Sequence, residues 1–434
     1  MIGSFPELCP FPKTCRMHVL FVHKNFPAQF GHLAARLVKQ RGHRCSFLSE
    51  KGPALVQGVE VIPYQVRGGA TAATHFCSRT FENTVWHSAA LYETLKARPD
   101  IRPDLVVGHA GFSSTVFLRE LYDCPFINYF EYFYRSRDSD LDFRPEFPAG
   151  EWQRLRAWTR NASLLVDLES CEAGYSPTRW QRDLLPEVFR PKVEVIFDGI
   201  DTSVWNRVAQ PGRTFGTFQI PPDCRLLTYV SRGFESMRGF DIFMKVAKRL
   251  CDQHPNLVVA VVGEDRICYG GDAEHIGGPS FRQWVLSQEQ YDLSRILFLG
   301  RLDPPDLARL LSLSDLHIYL TVPFVLSWSL MNALACGATI LASDTAPVRE
   351  MITPGQNGLL AGFFDVDGFV AQANEVLQRP HEYRHLAENG RKMIHEHYSL
   401  DVCLSRMERL YERVGSLPQP VPPLSAPTGA EPAG

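Results

Sequence analysis

Two arginines carry the first chemical signal. Arg232 follows the run Leu226–Val230 after one serine, and Arg238 comes six residues later in Glu235-Ser-Met-Arg-Gly-Phe240, where a helical pattern begins. Guanidinium forks at the carboxyl edge of a strand and beside a helix N-terminus suit a diphosphate. Arginines usually sit solvated at a surface, so the placement as a pair is the signal. A second signal lies between His317 and Asp344. This stretch reads as a buried strand (317–321), a polar elbow, a helix from about Ser327 and a second buried strand (338–342). Ser327, Trp328 and Ser329 would offer free backbone N–H groups and two hydroxyls at the helix start, a site for an anionic or polyhydroxylated ligand. Gly337 ends the helix. Open α/β sheets bind nucleotides with such units, although an ordinary crossover helix has the same pattern.

The elements that must position these groups alternate twice along the chain. In the first half, strands are expected at His18–His23, Cys45–Ser49, Val59–Pro63, Leu105–Gly108, Phe126–Tyr129 and Val193–Phe197. A helix is expected between the strands at 105 and 126, with Phe112, Val116, Leu118 and Leu121 on its apolar face. A second series begins at Leu226–Val230 and continues through Leu257–Gly263, Ile296–Leu299, His317–Thr321, Ala338–Ala342 and Gly358–Leu360. The fold class is therefore α/β, with two parallel, helix-covered sheets joined near residue 205. The expected division is an N-terminal extension (1–16), a first Rossmann-like domain (17–205), a second (206–397), a C-terminal helix (398–415) and a disordered Pro-rich tail (416–434). Met17, just before the first strand, is a candidate start.

Composition narrows the class. A chain of 434 residues with 45% hydrophobic and 21% charged content is that of a folded protein with more than one core. A net charge of −3 gives no general reason to expect nucleic acid. No apolar run is long enough to span a bilayer, and the first sixteen residues hold no signal-peptide core. The eleven cysteines are odd in number and lack a Cys-x-x-Cys pair, which favours a reducing cytoplasm over a disulfide framework or structural zinc. Asp138-Ser-Asp140 has the form of a metal-binding Asp-x-Asp but lies in a mixed-charge loop with no strand before it. Asp365-Val-Asp367 fits a helix cap better. No metal site is expected.

Taken together, the motifs resemble the glycosyltransferases of family four, GT-B-fold enzymes that retain anomeric configuration. Val230-Ser-Arg-Gly-Phe-Glu-Ser-Met-Arg-Gly-Phe240 is similar to that family's Gly-Arg-Leu…Glu-Lys-Gly segment, placing Arg232 on its arginine and Arg238 on its lysine. Val261-Val-Gly-Glu264, Leu297-Phe-Leu-Gly-Arg-Leu302 and Ala335-Cys-Gly…Ser343-Asp344 follow in the family's order. Phe21-Val-His-Lys-Asn-Phe-Pro-Ala-Gln-Phe-Gly31 and Gly108-His-Ala-Gly-Phe112 resemble a bacterial branch. The likeness runs from about residue 17 to 415.

The resemblance implies a sugar moved from a nucleotide diphosphate donor to a glycan, lipid-linked or small-molecule acceptor, without metal or cofactor. Catalytic roles would fall to His109, Arg232 and Arg238. Donor contacts would come from Gly31, Glu264, Leu302, Leu326, Ser327, Trp328, Ser329 and Asn332, and Glu131 is a candidate for orienting the acceptor. Tyr175-Ser-Pro-Thr-Arg-Trp180 looks architectural. Lipid-linked and surface-polysaccharide acceptors are common in the family and leave room for peripheral membrane association, although the first domain has no long basic amphipathic helix. The oligomeric state is not legible. Two departures stand out: most of the family places glutamates around the elbow where this chain has Phe324 and Asn332. Asn332 keeps an acceptor but loses the charge that would grip ribose hydroxyls. That leaves a second reading, a catalytically weakened or silent nucleotide-sugar-binding homologue serving as a regulatory or scaffold partner.

Overall fold

The computed structural model describes residues 16–416, apart from 51, 53, 210–212 and 216–217. The expected extension and Pro-rich tail lie, save for their inner ends, outside the described residues. Strands form where apolar residues run together. β1 (His18–Val22), β2 (Arg44–Ser49), β3 (Ala54–Val56), β4 (Val59–Pro63), β5 (Leu105–Ala110), β6 (Phe126–Phe130), β7 (Ala173–Ser176) and β8 (Val193–Val195) make the first sheet, in the order β3-β4-β2-β1-β5-β6-β7-β8. Only β3 runs antiparallel to its neighbour. Val19, Leu20, Phe21 and Val22 are all fully buried, as a strand covered on both faces requires.

A short ribbon of β9 (Thr214–Phe215) and β10 (Phe218–Gln219) precedes the second sheet. There β11 (Arg225–Gly233), β12 (Leu257–Glu264), β13 (Ile296–Gly300), β14 (Leu316–Tyr319), β15 (Ile340–Ser343) and β16 (Leu359–Ala361) are all parallel, in the order β13-β12-β11-β14-β15-β16. Strand order reverses between β1 and β5 in the first sheet and between β11 and β14 in the second. The crevice outside the carboxyl ends of strands at such a reversal is where α/β sheets bind ligands. The Arg232–Arg238 segment and the elbow after β14 both leave the sheet at that point.

The last helix, Leu400–Gly415, returns to the first sheet. Leu404, Met407, Leu410, Tyr411 and Val414 join Val19, Phe21 and Phe47 in one core. Glu408, buried on this helix, accepts from Arg36 Nε at 2.9 Å and from Arg41 at 3.2 Å. A buried carboxylate needs such partners, so the pairs fix where the helix docks.

One expected element is corrected. The helix predicted after β5 is a single 3-10 turn, Val116–Glu120, and Phe112 is exposed. Gly111 takes φ 93°, and Ser114 Oγ and Thr115 N donate to the buried Asp167 carboxylate (2.9 and 3.3 Å). These side-chain bonds hold residues 111–115 as a loop, competing with helical hydrogen bonding.

Candidate active site

A cleft of about 450 Å³ opens between the two sheets. Its second-domain floor begins with Arg238, which is buried. Nη1 of Arg238 donates to Thr321 Oγ1 at 2.7 Å, and both terminal nitrogens donate to the Val325 carbonyl at 3.2 Å. The guanidinium also lies 5.3 Å from the Tyr269 ring centroid and 5.7 Å from that of Phe324. The chain turns sharply after it: Gly239 has φ 59°, and a Cβ there would fall 2.7 Å from Leu320 Cβ. That turn starts the helix Phe240–Gln253 and seats Arg238 against the elbow.

Arg232 is held more loosely. It is exposed, with Nη1 3.5 Å from the Tyr269 hydroxyl. The loop carrying Tyr269 is fixed by Glu235, whose carboxylate accepts from the amides of Cys268, Tyr269 and Gly270 at 3.0, 2.8 and 3.1 Å. Arg266 and Arg301 complete a wall of four arginines against two acids, Glu131 and Glu264. Glu264 is paired with Arg266 at 2.7 Å. The cleft is built for an anion.

The elbow differs in detail from its sequence reading. Ser327 N–H donates to the Tyr319 hydroxyl at 3.0 Å, and Ser329 N–H donates to Ser327 Oγ at 3.2 Å, capping the helix Trp328–Ala335. Two of the three amides expected to be free are therefore taken within the protein. Among the described residues, the amides of Leu326 and Trp328 keep no partner and remain for a ligand. The Trp328 indole Nε1 reaches the other domain and donates to Asp198 at 2.9 Å. Asn332 is buried beside it and lines the cleft.

The first domain contributes Glu131, at the end of β6. Burial pushes its carboxyl up to about 7, with Asp198 adding to the rise and Arg238 and Arg232 opposing it. Behind it lies His109, 1% exposed, with Nε2 3.7 Å from Glu131 Oε2. Burial drops the imidazole to about 3, so it is neutral and this contact is not an ion pair. His109 Nδ1 is 3.0 Å from the Ala110 carbonyl, which can only accept. The proton therefore sits on Nδ1, and Nε2 is a buried acceptor without a hydrogen-bond partner among the described residues.

A model of the glycosyl transferase family 4 group matches residues 41–205, and one of glycosyl transferases group 1 matches residues 214–393. The chain belongs to this glycosyltransferase family. It is 24% identical over 230 residues to N-acetyl-alpha-D-glucosaminyl L-malate synthase of Bacillus anthracis, covering 52% of this chain and 55% of that one. The chain thus spans about half the length of that relative. It is 23% identical over 338 residues to glycogen synthase of Mycobacterium tuberculosis, covering 74% and 72% of the two chains. Sucrose-phosphate synthase from Thermosynechococcus elongatus superposes with a TM-score of 0.70 at 17% identity, covering 92% of this chain and 99% of that one. Anabaena HepE in complex with UDP-glucose gives 0.64 at 11% identity, covering 92% and 100%. These likenesses establish the GT-B fold.

In this family member the cleft gathers Arg232, Arg238, Glu264, Leu302, Leu326, Ser327, Trp328, Ser329, Asn332 and Glu131. Two expected residues are placed elsewhere. His109 does not line the cleft and stands behind Glu131. Gly31 lines an adjoining hollow of about 500 Å³ that shares Trp328 and Asn332 with the cleft. Its lack of a side chain has a local reason, since a Cβ would fall 2.3 Å from Pro27 Cβ. Phe324, where most of the family has an acid, stacks edge-on against Tyr132 of the first domain at 4.8 Å and so helps close the domains together. Asp138-Ser-Asp140 forms a capped turn, with Ser139 as its cap and Tyr132 donating to Asp140 at 2.7 Å. Asp365 caps the helix Val366–Gln378. The nine described cysteines are free, and no helix among the described residues is long and apolar enough to cross a membrane.

Four contributors are absent from the sequence reading. Asp198 accepts from Trp328 and Tyr129 and is pushed up to about 6 by burial. Tyr269, Arg266 and Arg301 complete the wall around the arginine pair. Of the four, Arg301 has a signal in sequence: it directly follows β13.

Proposed function

We propose that the cleft moves a sugar from a nucleotide diphosphate donor to an acceptor hydroxyl, with retention of configuration and without a metal. The carrying observation is the arginine wall, Arg232, Arg238, Arg266 and Arg301, along the carboxyl ends of β11, β12 and β13 beside the strand-order reversal of the second sheet. Breaking the bond between sugar C1 and phosphate oxygen leaves the electron pair on the phosphate. Fixed guanidinium groups stabilise that growing charge more than the ground state, and supply the countercharge a metal would otherwise give. The acceptor oxygen bonds to C1 on the face the phosphate leaves, and its proton passes to the departing phosphate. No protein nucleophile is needed. The amides of Leu326 and Trp328 hold the donor, and Glu131 orients the acceptor. The acceptor is a glycan, lipid-linked or small molecule, met in the cytoplasm or at a membrane surface.

One observation favours the second reading, a donor-binding partner with little activity. Asn332 faces the cleft with a neutral amide where the family places a carboxylate. Melting curves against a panel of nucleotide sugars identify the donor, because a ligand that binds only the native state raises the melting temperature. Release of free sugar from that labelled donor then separates the readings. Hydrolysis well above an Arg232→Ala control supports the transferase; binding with no hydrolysis above that control rejects it in favour of the silent partner.

A further inference from the structure

A second cavity, of about 320 Å³, adjoins the donor cleft and shares Tyr269 with it. Its first-domain wall comes from the helix Glu151–Arg160, where Arg156 and Arg160 sit one turn apart and both face the cavity. Each guanidinium rests on an aromatic ring: Arg160 lies 3.5 Å over Tyr134, and Arg156 lies 5.1 Å from the Phe76 centroid. Arg79 approaches that phenyl ring at 5.8 Å. Arg156 donates to Thr80 Oγ1 at 2.9 Å, and the Nε atoms of Arg156 and Arg160 are buried without a hydrogen-bond partner among the described residues.

The acids lining the cavity, Asp140 from the first domain and Asp272 and Glu274 from the second, are already engaged. Asp140 accepts from Tyr132, Asp272 accepts from the Ser236 amide at 2.7 Å, and Glu274 accepts from Gln153 Nε2 at 2.8 Å. Arg144, the remaining wall arginine, is tied to Asp241 at 2.7 Å. Among the described residues no carboxylate forms an ion pair with Arg156 or Arg160. Burial first, then Arg160 and Arg79, push the Arg156 guanidinium below its usual range, so crowding by like charge adds to desolvation, while Asp140 acts on Arg160 from beyond ion-pair distance.

We propose that this cavity is an acceptor subsite in which Arg156 and Arg160 hold a phosphate group, while Tyr269 separates it from the transfer cleft. The proposal rests on the glycosyl-transfer reading for the word acceptor, but not for the anion. A fork of two guanidinium groups on aromatic platforms matches phosphate geometry. The phosphate has two sources, a soluble phosphorylated sugar or a lipid headgroup. Trp152, Leu155 and Trp158 on the same helix are 54%, 45% and 72% exposed, which makes the lipid source worth a direct arm.

The test uses the full chain and its Arg156→Gln/Arg160→Gln, Arg154→Gln and Arg232→Ala variants. Glucose 6-phosphate is titrated calorimetrically, and sedimentation with phosphatidylglycerol vesicles is measured in parallel. The expected result is binding in one arm, weakened at least tenfold in the double variant and unchanged in Arg154→Gln and Arg232→Ala; the responding arm names the source. Binding in neither arm, binding indifferent to Arg156 and Arg160, or binding lost in Arg232→Ala overturns the proposal. The melting shift with UDP-sugars and GDP-sugars is read on the same proteins. Its retention in the double variant shows an intact fold. If no donor shifts any of them while the phosphate arm succeeds, the donor reading fails and the anion site stands.

Discussion

Glu131 Oε2 stands 3.7 Å from the unpartnered Nε2 of His109, and Glu131, not His109, faces the cleft. The raised carboxyl and the neutral imidazole belong together. A protonated Glu131 can donate to Nε2, whereas a carboxylate there would meet only a lone pair. Because burial raises its pKa to about 7, Glu131 binds its proton more tightly in the folded than in the unfolded chain. Its contribution to stability is full below the unfolded value and is lost as pH rises through about 7. Buried His23, lowered to about 4, and His109 and His317, lowered to about 3, have the opposite sign below their unfolded value. The total pH dependence therefore mixes terms, and the difference from Glu131→Gln isolates one. Urea unfolding from pH 5 to 8 should show the wild type losing stability relative to Glu131→Gln by up to about 1.4 kcal/mol per pH unit. A flat difference would place Glu131 in an ordinary solvated state.

The two arginines of the motif should separate in experiment. Arg238 is buried and bonded to Thr321 and Val325, whereas Arg232 among the described residues hydrogen-bonds only to Tyr269. Arg238→Ala should lower both the melting temperature and donor turnover. Arg232→Ala should leave the melting temperature near that of the wild type. Loss of one preorganised group facing the leaving phosphate costs roughly 100- to 1000-fold in rate, the size expected for each variant. Equal melting temperatures with unequal rates would show that Arg238 is not structural.

Asn332 offers a gain-of-function test. Its side chain lines the cleft and forms no hydrogen bond among the described residues. A charge-assisted bond contributes about 1.5–3 kcal/mol against about 1 for a neutral one, so Asn332→Glu should tighten donor binding roughly tenfold. Calorimetry with the donor found by the melting screen reads it directly. Unchanged or weaker affinity would mean that the ribose is not held at this position.

The parts of this site legible in the sequence were those that local pattern fixes. Arg232 and Glu264 lie at the carboxyl ends of buried strands and the elbow follows one, so their place at the carboxyl edge follows from strand direction alone. Phe324 was legible as a departure but not in its purpose, because its partner Tyr132 lies in the other domain. Asp198 was hidden for the same reason: Trp328 is 130 residues away along the chain. The failed helix after β5 shows another limit. Its apolar spacing was helical, but Asp167, more than fifty residues on, captures Ser114 and Thr115. His109 was placed by analogy, and only packing revealed that Glu131 stands before it.

The Trp328–Asp198 bond ties the elbow to the segment linking the two sheets. Asp198 is buried, accepts at 2.9 Å from the indole and 3.4 Å from the Tyr129 hydroxyl, and leaves Oδ1 without a partner among the described residues. Trp328→Phe keeps a ring but removes the stronger donor. An unsatisfied buried group costs about 1–3 kcal/mol, more when charged, so the variant should unfold at lower urea above pH 6. Below that, Asp198, raised to about 6, is protonated and the deficit should shrink. The sign follows from the bond: Trp328 lowers the Asp198 pKa, so removing it raises the folded value further and moves the loss of stability to the alkaline side. Unfolding curves of wild type and Trp328→Phe at pH 5 and pH 8 decide the matter; a deficit larger at pH 5 would show that the indole does not serve the carboxylate.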